Sequence, residues 1–237
     1  MKVRSGPETK EEAGEARMLV TTYAQMLELL ERVGFMSFGG GAGLPSLEAV
    51  TAPDAWHRGD EYDPWGWKDR IARRRDGAYA RVFWGRAALI SPEWYPVFRA
   101  AFETRDDLEA RYLAGHLDSM TRRVYRCFAE RAAWPRHELT ARLRVGKADK
   151  SRFETALSRL QGEMRITPSG TVPKIAPSGE AMGWPSIEYT RVDAWMPGSW
   201  GTCSLSQSEA REKIAGQMRS LCPGMDERAI RRLTGGE

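Results

Sequence analysis

Cysteine and histidine are both scarce in this chain, at three residues each. Cys127, Cys203 and Cys222 stand far apart, and no Cys-x-x-Cys spacing occurs. His57, His116 and His137 fall at no zinc-like spacing from them. A disulfide framework and a structural zinc site are therefore excluded as organising devices, and no metal or cofactor is expected. Long apolar runs are missing too. The segment up to Arg17 is charged and polar, and nothing approaches the length of a membrane span. No leader and no membrane association are expected, and the cytoplasm is the expected compartment.

What is present is a chain of 237 residues, 41% of them hydrophobic, enough to bury a core. The formal net charge of +4 is mild, but its distribution is uneven. Residues 118–176 hold 13 Lys and Arg against 6 Asp and Glu. Basicity confined to one segment is the footprint of a phosphate-contacting surface.

That basic segment also has the clearest pattern. One helix is expected over about 119–132, with Met120, Val124, Cys127 and Phe128 on one face. Pro135 starts a second, with Leu139 and Leu143 inward and Gly146 at its end. A third begins near Asp149 and carries Phe153, Ala156, Leu157, Leu160 and Met164. Two strands are expected around 165–167 and 172–175, joined by a turn at Pro168-Ser169-Gly170, and a last one over 187–192. Three helices and a β-hairpin make a winged helix. The overall class is α+β, mostly helical, with a winged helix at 118–192. A tail at 1–18, an N-terminal region at 19–117 and C-terminal helices at 193–237 complete it.

In a winged helix the third helix enters the major groove of duplex DNA. Its early exposed residues here are Lys147, Lys150, Ser151 and Arg152, and Lys174 lies on the wing. All are donors suited to phosphates or guanine edges.

The other regions are less regular. Thr22 with Gln25 forms a capping box before Tyr23, Met26, Leu27, Leu30 and Val33, and Gly34 suits the helix end. The Gly-rich stretch 39–43 lacks the spacing of a phosphate-binding loop and reads as a loop beside a pocket. Trp56, Trp65 and Trp67 then stand among Asp54, Asp60, Glu61, Asp63 and Asp69. Arg70, Arg73, Arg74 and Arg75 follow as the start of a basic helix. Residues 79–84 and 86–90 read as two strands joined at Gly85, and Ser91-Pro92 opens a helix. Ser206 and Glu209 form a second capping box, and Asp226 caps a last helix.

The segment Trp84-Gly-Arg-Ala-Ala-Leu-Ile-Ser-Pro-Glu-Trp-Tyr-Pro96 resembles a strand–turn–helix segment of the AlkZ/YcaQ-like DNA glycosylases. Tyr189-Thr-Arg-Val-Asp-Ala-Trp195 and Glu209-Ala-Arg-Glu-Lys213 are also similar to that family, and the likeness covers about two thirds of the chain. The resemblance implies winged-helix units and hydrolysis of the N-glycosidic bond of alkylated or crosslinked bases. It implies a catalytic Gln-x-Gln or Gln-x-Asp triplet before the aromatic strand. Trp67-Lys68-Asp69 occupies that place, with Asp69 matching the final Asp and Trp67 standing where the family has Gln.

Asp69 is accordingly the candidate catalytic carboxylate, stabilising an oxocarbenium-like transition state. Trp65, Trp67, Tyr79 and Trp84 are candidates to stack on a flipped base, and Arg70, Arg73 and Arg74 to hold flanking phosphates. The alternatives are an Asp69–Arg73 helix ion pair, tryptophans that are core anchors, and a solvated arginine face. Three functions stay open: a base-excision enzyme, a non-catalytic DNA-binding regulator or interaction module, and a small-molecule binder.

Overall fold

A computed structural model describes residues 19–40, 43–83, 85–176 and 178–235. Trp84, one of the candidate stacking residues, lies outside the described residues. The fold is α+β and mostly helical.

The first helix, α1 (Tyr23–Val33), starts at a capping box in which Thr22 and Gln25 satisfy each other's backbone N–H groups. It ends at Gly34, whose φ of 81° suits a residue without Cβ. Strand β1 (Phe35–Ser37) and the single turn α2 (Leu47–Val50) follow. Helix α3 (Pro64–Arg74) has Asp63 as N-cap and Pro at its first position. The arginines expected to open a helix thus lie in its second half and at its end. Asp63-Pro64 is the stronger start signal, because a capping carboxylate satisfies free N–H groups that Arg70 cannot.

Strands β2 (Ala78–Phe83) and β3 (Arg86–Ile90) form the expected hairpin, and β1 pairs with the far edge of β3. A turn from Ser91 leads into α4 (Tyr95–Phe102), so the helix proper begins at Tyr95 and not at Pro92. Helix α5 (Leu108–Leu113) comes next.

Residues 119–191 run as α6 (Ser119–Glu130), β4 (Ala133–Pro135), α7 (Arg136–Arg142), α8 (Lys150–Gly162), β5 (Ile166–Val172) and β6 (Ser186–Arg191). The three strands make one antiparallel sheet in the order β4-β6-β5. Two details depart from the sequence expectation. Helix α7 ends at Arg142, and Arg144 with a φ of 51° takes the reversal expected of Gly146. Pro168-Ser169-Gly170 is not a turn but a bulge inside β5. It re-registers β5 on β6, and Gly170 with a φ of 138° packs against Arg73 of α3. The hairpin loop therefore spans 173–185, with an Ile175–Ala181 bridge near its base.

The chain finishes with α9 (Val192–Trp195), α10 (Gln207–Leu221) and α11 (Glu227–Leu233). Ser206 and Glu209 form the expected capping box on α10. Asp226 is the N-cap of α11 but makes no side-chain bond there.

Three apolar cores hold these elements. One joins β2 and β3 with α4, α10, α11 and Trp195. A second lies inside residues 120–189. The third joins α1, β1 and α3 through Met26, Leu30, Met36, Trp67 and Ile71. The Trp195 indole N–H donates to the Ala72 carbonyl at 3.1 Å, tying α9 to the end of α3. Among the described residues no helix is long and apolar enough to cross a membrane.

Candidate active site

Helix α3 and strand β5 pack side by side, and the contact sets the position of the site. Arg73 fixes the seam: its guanidinium donates to the Thr171 carbonyl at 2.8 Å and to the Thr171 hydroxyl at 3.2 Å. Beside it lies an open pocket of about 580 Å³. Its walls come from three places in sequence: His57, Gly59, Asp60 and Asp63 before α3, Trp65, Lys68 and Asp69 on α3, and Thr171 with Trp184, Pro185 and Ile187 of the hairpin.

Asp63 builds the first wall. Its carboxylate is buried and accepts from the backbone N–H groups of His57 at 3.0 Å, Gly59 at 3.0 Å and Trp65 at 2.9 Å. Burial pushes this carboxyl up, but the N–H donors of Gly59, Trp65 and His57 outweigh burial and hold it below the usual carboxylate range. The arrangement pins the 57–59 loop, where His57 has a φ of 65°, onto the start of α3.

The second wall comes from α3 itself. Asp69 lines the pocket with its side chain 29% exposed, and its carboxylate accepts from Lys68 Nζ at 3.0 Å. Lys68 is 8% exposed, donates also to the Trp65 carbonyl at 3.0 Å, and lies over the Trp65 ring at 4.3 Å. Trp65 is half exposed, with its ring 5.1 Å from His57 and 6.0 Å from Phe38. Trp184, 81% exposed, lines the pocket from the hairpin. A carboxylate and two indole rings lining one open volume can hold a flat, electron-poor ring and stabilise positive charge beside it.

The other sequence candidates are dispersed. Trp67, 2% exposed, is a core anchor whose indole N–H donates to the Glu61 carbonyl at 3.0 Å, so a flipped base cannot stack on it. Tyr79 packs edge-on to Phe38 and does not line the pocket; burial raises its phenol, as does the nearby Asp69. Arg70 covers the Tyr23 ring at 4.1 Å, and Arg74 pairs with Asp76 at 2.9 Å. Arg73 bonds to Thr171, not to Asp69, so the helix ion pair does not form. Lys147, Lys150, Ser151 and Arg152 are exposed around the start of α8. Ser151 and Arg152 line a separate shallow cavity with Asp118 and Ser119. Lys174 is half-buried in the 173–185 loop.

His57, Lys68 and Trp184 are pocket residues that the sequence reading did not select. Lys68 carried a local signal, as a charged residue between two residues already selected. His57 and Trp184 carried none: the 57–59 loop is held through its backbone N–H groups by Asp63, which any residue but proline could offer at position 57, and Trp184 comes in on the distant hairpin loop.

A family model described as "AlkZ related" matches residues 20–235. The chain belongs to the AlkZ-related family. Among solved structures, Streptomyces sahachiroi DNA glycosylase AlkZ is similar at 14% identity and a TM-score of 0.46. The likeness covers 93% of this chain and 60% of that one, so this member of the family spans about 60% of the length of that AlkZ chain. No curated protein matches. Among the described residues no cluster of three His, Cys, Asp or Glu side chains could hold a metal ion.

Proposed function

We propose that this AlkZ-related protein binds duplex DNA and removes a modified base by hydrolysing its N-glycosidic bond. The observation that carries this is that Asp69, Trp65 and Trp184 line one open pocket. The volume of about 580 Å³ falls within the usual range for a small-molecule site and leaves room for a flipped nucleoside. Family membership supports the same reading.

The order helix, strand, helix, helix, strand, strand over residues 119–191 supports a winged helix with α8 as the groove-facing helix. Lys147, Lys150, Ser151 and Arg152 then meet phosphates or base edges, and Lys174 follows on the wing. Departure of the base leaves an oxocarbenium-like sugar. Asp69 stabilises that charge and orients the attacking water, and Trp65 and Trp184 hold the base. An alkylated purine is already cationic and departs without acid assistance, which fits an aromatic pocket with Asp60 and Asp69 on its wall.

One observation favours a second reading. Trp67 fills the core at the position where the resemblance expects the first Gln, and Lys68 occupies one oxygen of Asp69. A non-catalytic DNA-binding protein on the same scaffold has that arrangement. The two readings part in a base-release assay on duplex DNA carrying N7-methylguanine. Release by the wild type that is lost in Asp69→Asn and weakened in Trp65→Ala supports the enzyme. DNA binding without release supports the binder.

A further inference from the structure

Among the described lysines only Lys68 is buried, and it lines the pocket. We propose that Lys68 is a Schiff-base nucleophile, giving the site a second activity: cleavage of the DNA strand at an abasic sugar. The inference rests on reading the pocket as the place where a base is excised.

Lys68 Nζ is held by the Asp69 carboxylate at 3.0 Å, the Trp65 carbonyl at 3.0 Å and the Trp65 ring at 4.3 Å. These contacts fix the nitrogen beside the carboxylate proposed to face the sugar. Covalent catalysis on a carbonyl needs an amine that can shed its proton, and the Asp69 carboxylate is within reach to take the proton. A purely structural ion pair has no need of an open volume beside it, and both Lys68 and Asp69 line one of about 580 Å³.

The steps balance without any oxidant or reductant. Asp69 takes a proton from the Lys68 ammonium, and Nζ adds to C1′ of the ring-opened abasic sugar. The resulting hydroxyl leaves as water with the proton that Asp69 held, giving an iminium. The Asp69 carboxylate then removes a C2′ proton. The C3′–O bond breaks, and the phosphate of the downstream strand leaves with the electron pair. Water hydrolyses the imine and frees Lys68.

The test is trapping with sodium borohydride on duplex DNA holding one abasic site, made by removing uracil. The expected result is a covalent protein–DNA complex whose adducted peptide, by mass spectrometry, contains Lys68. Lys68→Arg keeps the positive charge toward Asp69 and Trp65 but has no nucleophilic amine, so its adduct should fall to background while abasic-duplex binding persists. Mapping the wild-type adduct needs no variant and stands if Lys68→Arg fails to fold. No adduct from the wild type, an adduct on another amine, or an undiminished adduct with Lys68→Arg overturns the proposal. Base release measured in parallel separates the two readings. Release without trapping removes the lyase and keeps the glycosylase, whereas trapping without release does the reverse.

Discussion

Asp63 holds the first wall of the pocket, and its replacement should show as lost stability. The carboxylate is 4% exposed and accepts from three backbone N–H groups at 2.9–3.0 Å. The bond from Trp65 N–H is an N-cap, and its loss costs about 1 kcal/mol. Bonds to a charged acceptor contribute roughly 1.5–3 kcal/mol each. His57 and Gly59 are exposed, so water replaces much of what their N–H groups lose, and about 1 kcal/mol each is the fair figure. Asp63→Ala should therefore destabilise the protein by about 3 kcal/mol, a fall in Tm of roughly 6–12 °C for a chain of this size. Asp63→Asn keeps one neutral acceptor and should lose about half as much.

The pH dependence has a definite sign. The folded-state Asp63 carboxyl lies below its ordinary value, so its stabilisation is present above the unfolded pKa of about 3.9 and is lost as pH falls through the lower folded value. The gap between wild type and Asp63→Asn should hold from neutral pH to about 5 and close below about 4. Thermal melts followed by circular dichroism across that range measure it. A loss for Asp63→Ala under about 0.5 kcal/mol would refute the reasoning, because a buried carboxylate with three donors cannot be that dispensable.

Glu163 binds Arg111 with both oxygens at 2.9 Å and Arg159 at 3.0 Å, so Glu163→Gln should cost about 2–3 kcal/mol in urea unfolding. Gly34→Ala should cost at least about 2 kcal/mol, since φ is 81° and the new Cβ would meet the Trp94 indole; a neutral effect would mean that the indole moves freely. Replacing Lys150 and Arg152 together by Ala should weaken duplex binding and flatten its salt slope by about 2. An unchanged slope would remove the start of α8 from the DNA-contact surface.

Local chemistry explains what could be read from the sequence. Thr22 with Gln25 and Ser206 with Glu209 announce α1 and α10 because a capping box needs only four residues. Phe153, Ala156, Leu157 and Leu160 announce α8 because one helix face points inward. The errors lie where distant segments decide. Pro168-Ser169-Gly170 has turn composition, yet pairing with β6 keeps it in a strand, and a φ of 138° at the bulge accounts for the glycine. Strand β4 is three residues long, too short for any period, and exists because β6 pairs with it. Trp65 and Trp67 look equivalent in sequence, but Trp67 shares its face with Ile71 four residues on and is drawn into the core, which leaves Trp65 on the pocket. Asp69 reached the pocket as selected; its partner is Lys68 and not Arg73.

The most direct measurement is single-turnover release of N7-methylguanine from duplex DNA, with wild type and Asp69→Asn compared at equal DNA occupancy. An excision enzyme built on this pocket releases the base with the wild type and loses release in Asp69→Asn without losing DNA binding. Full occupancy with no release by the wild type, or equal release by both proteins, would contradict it.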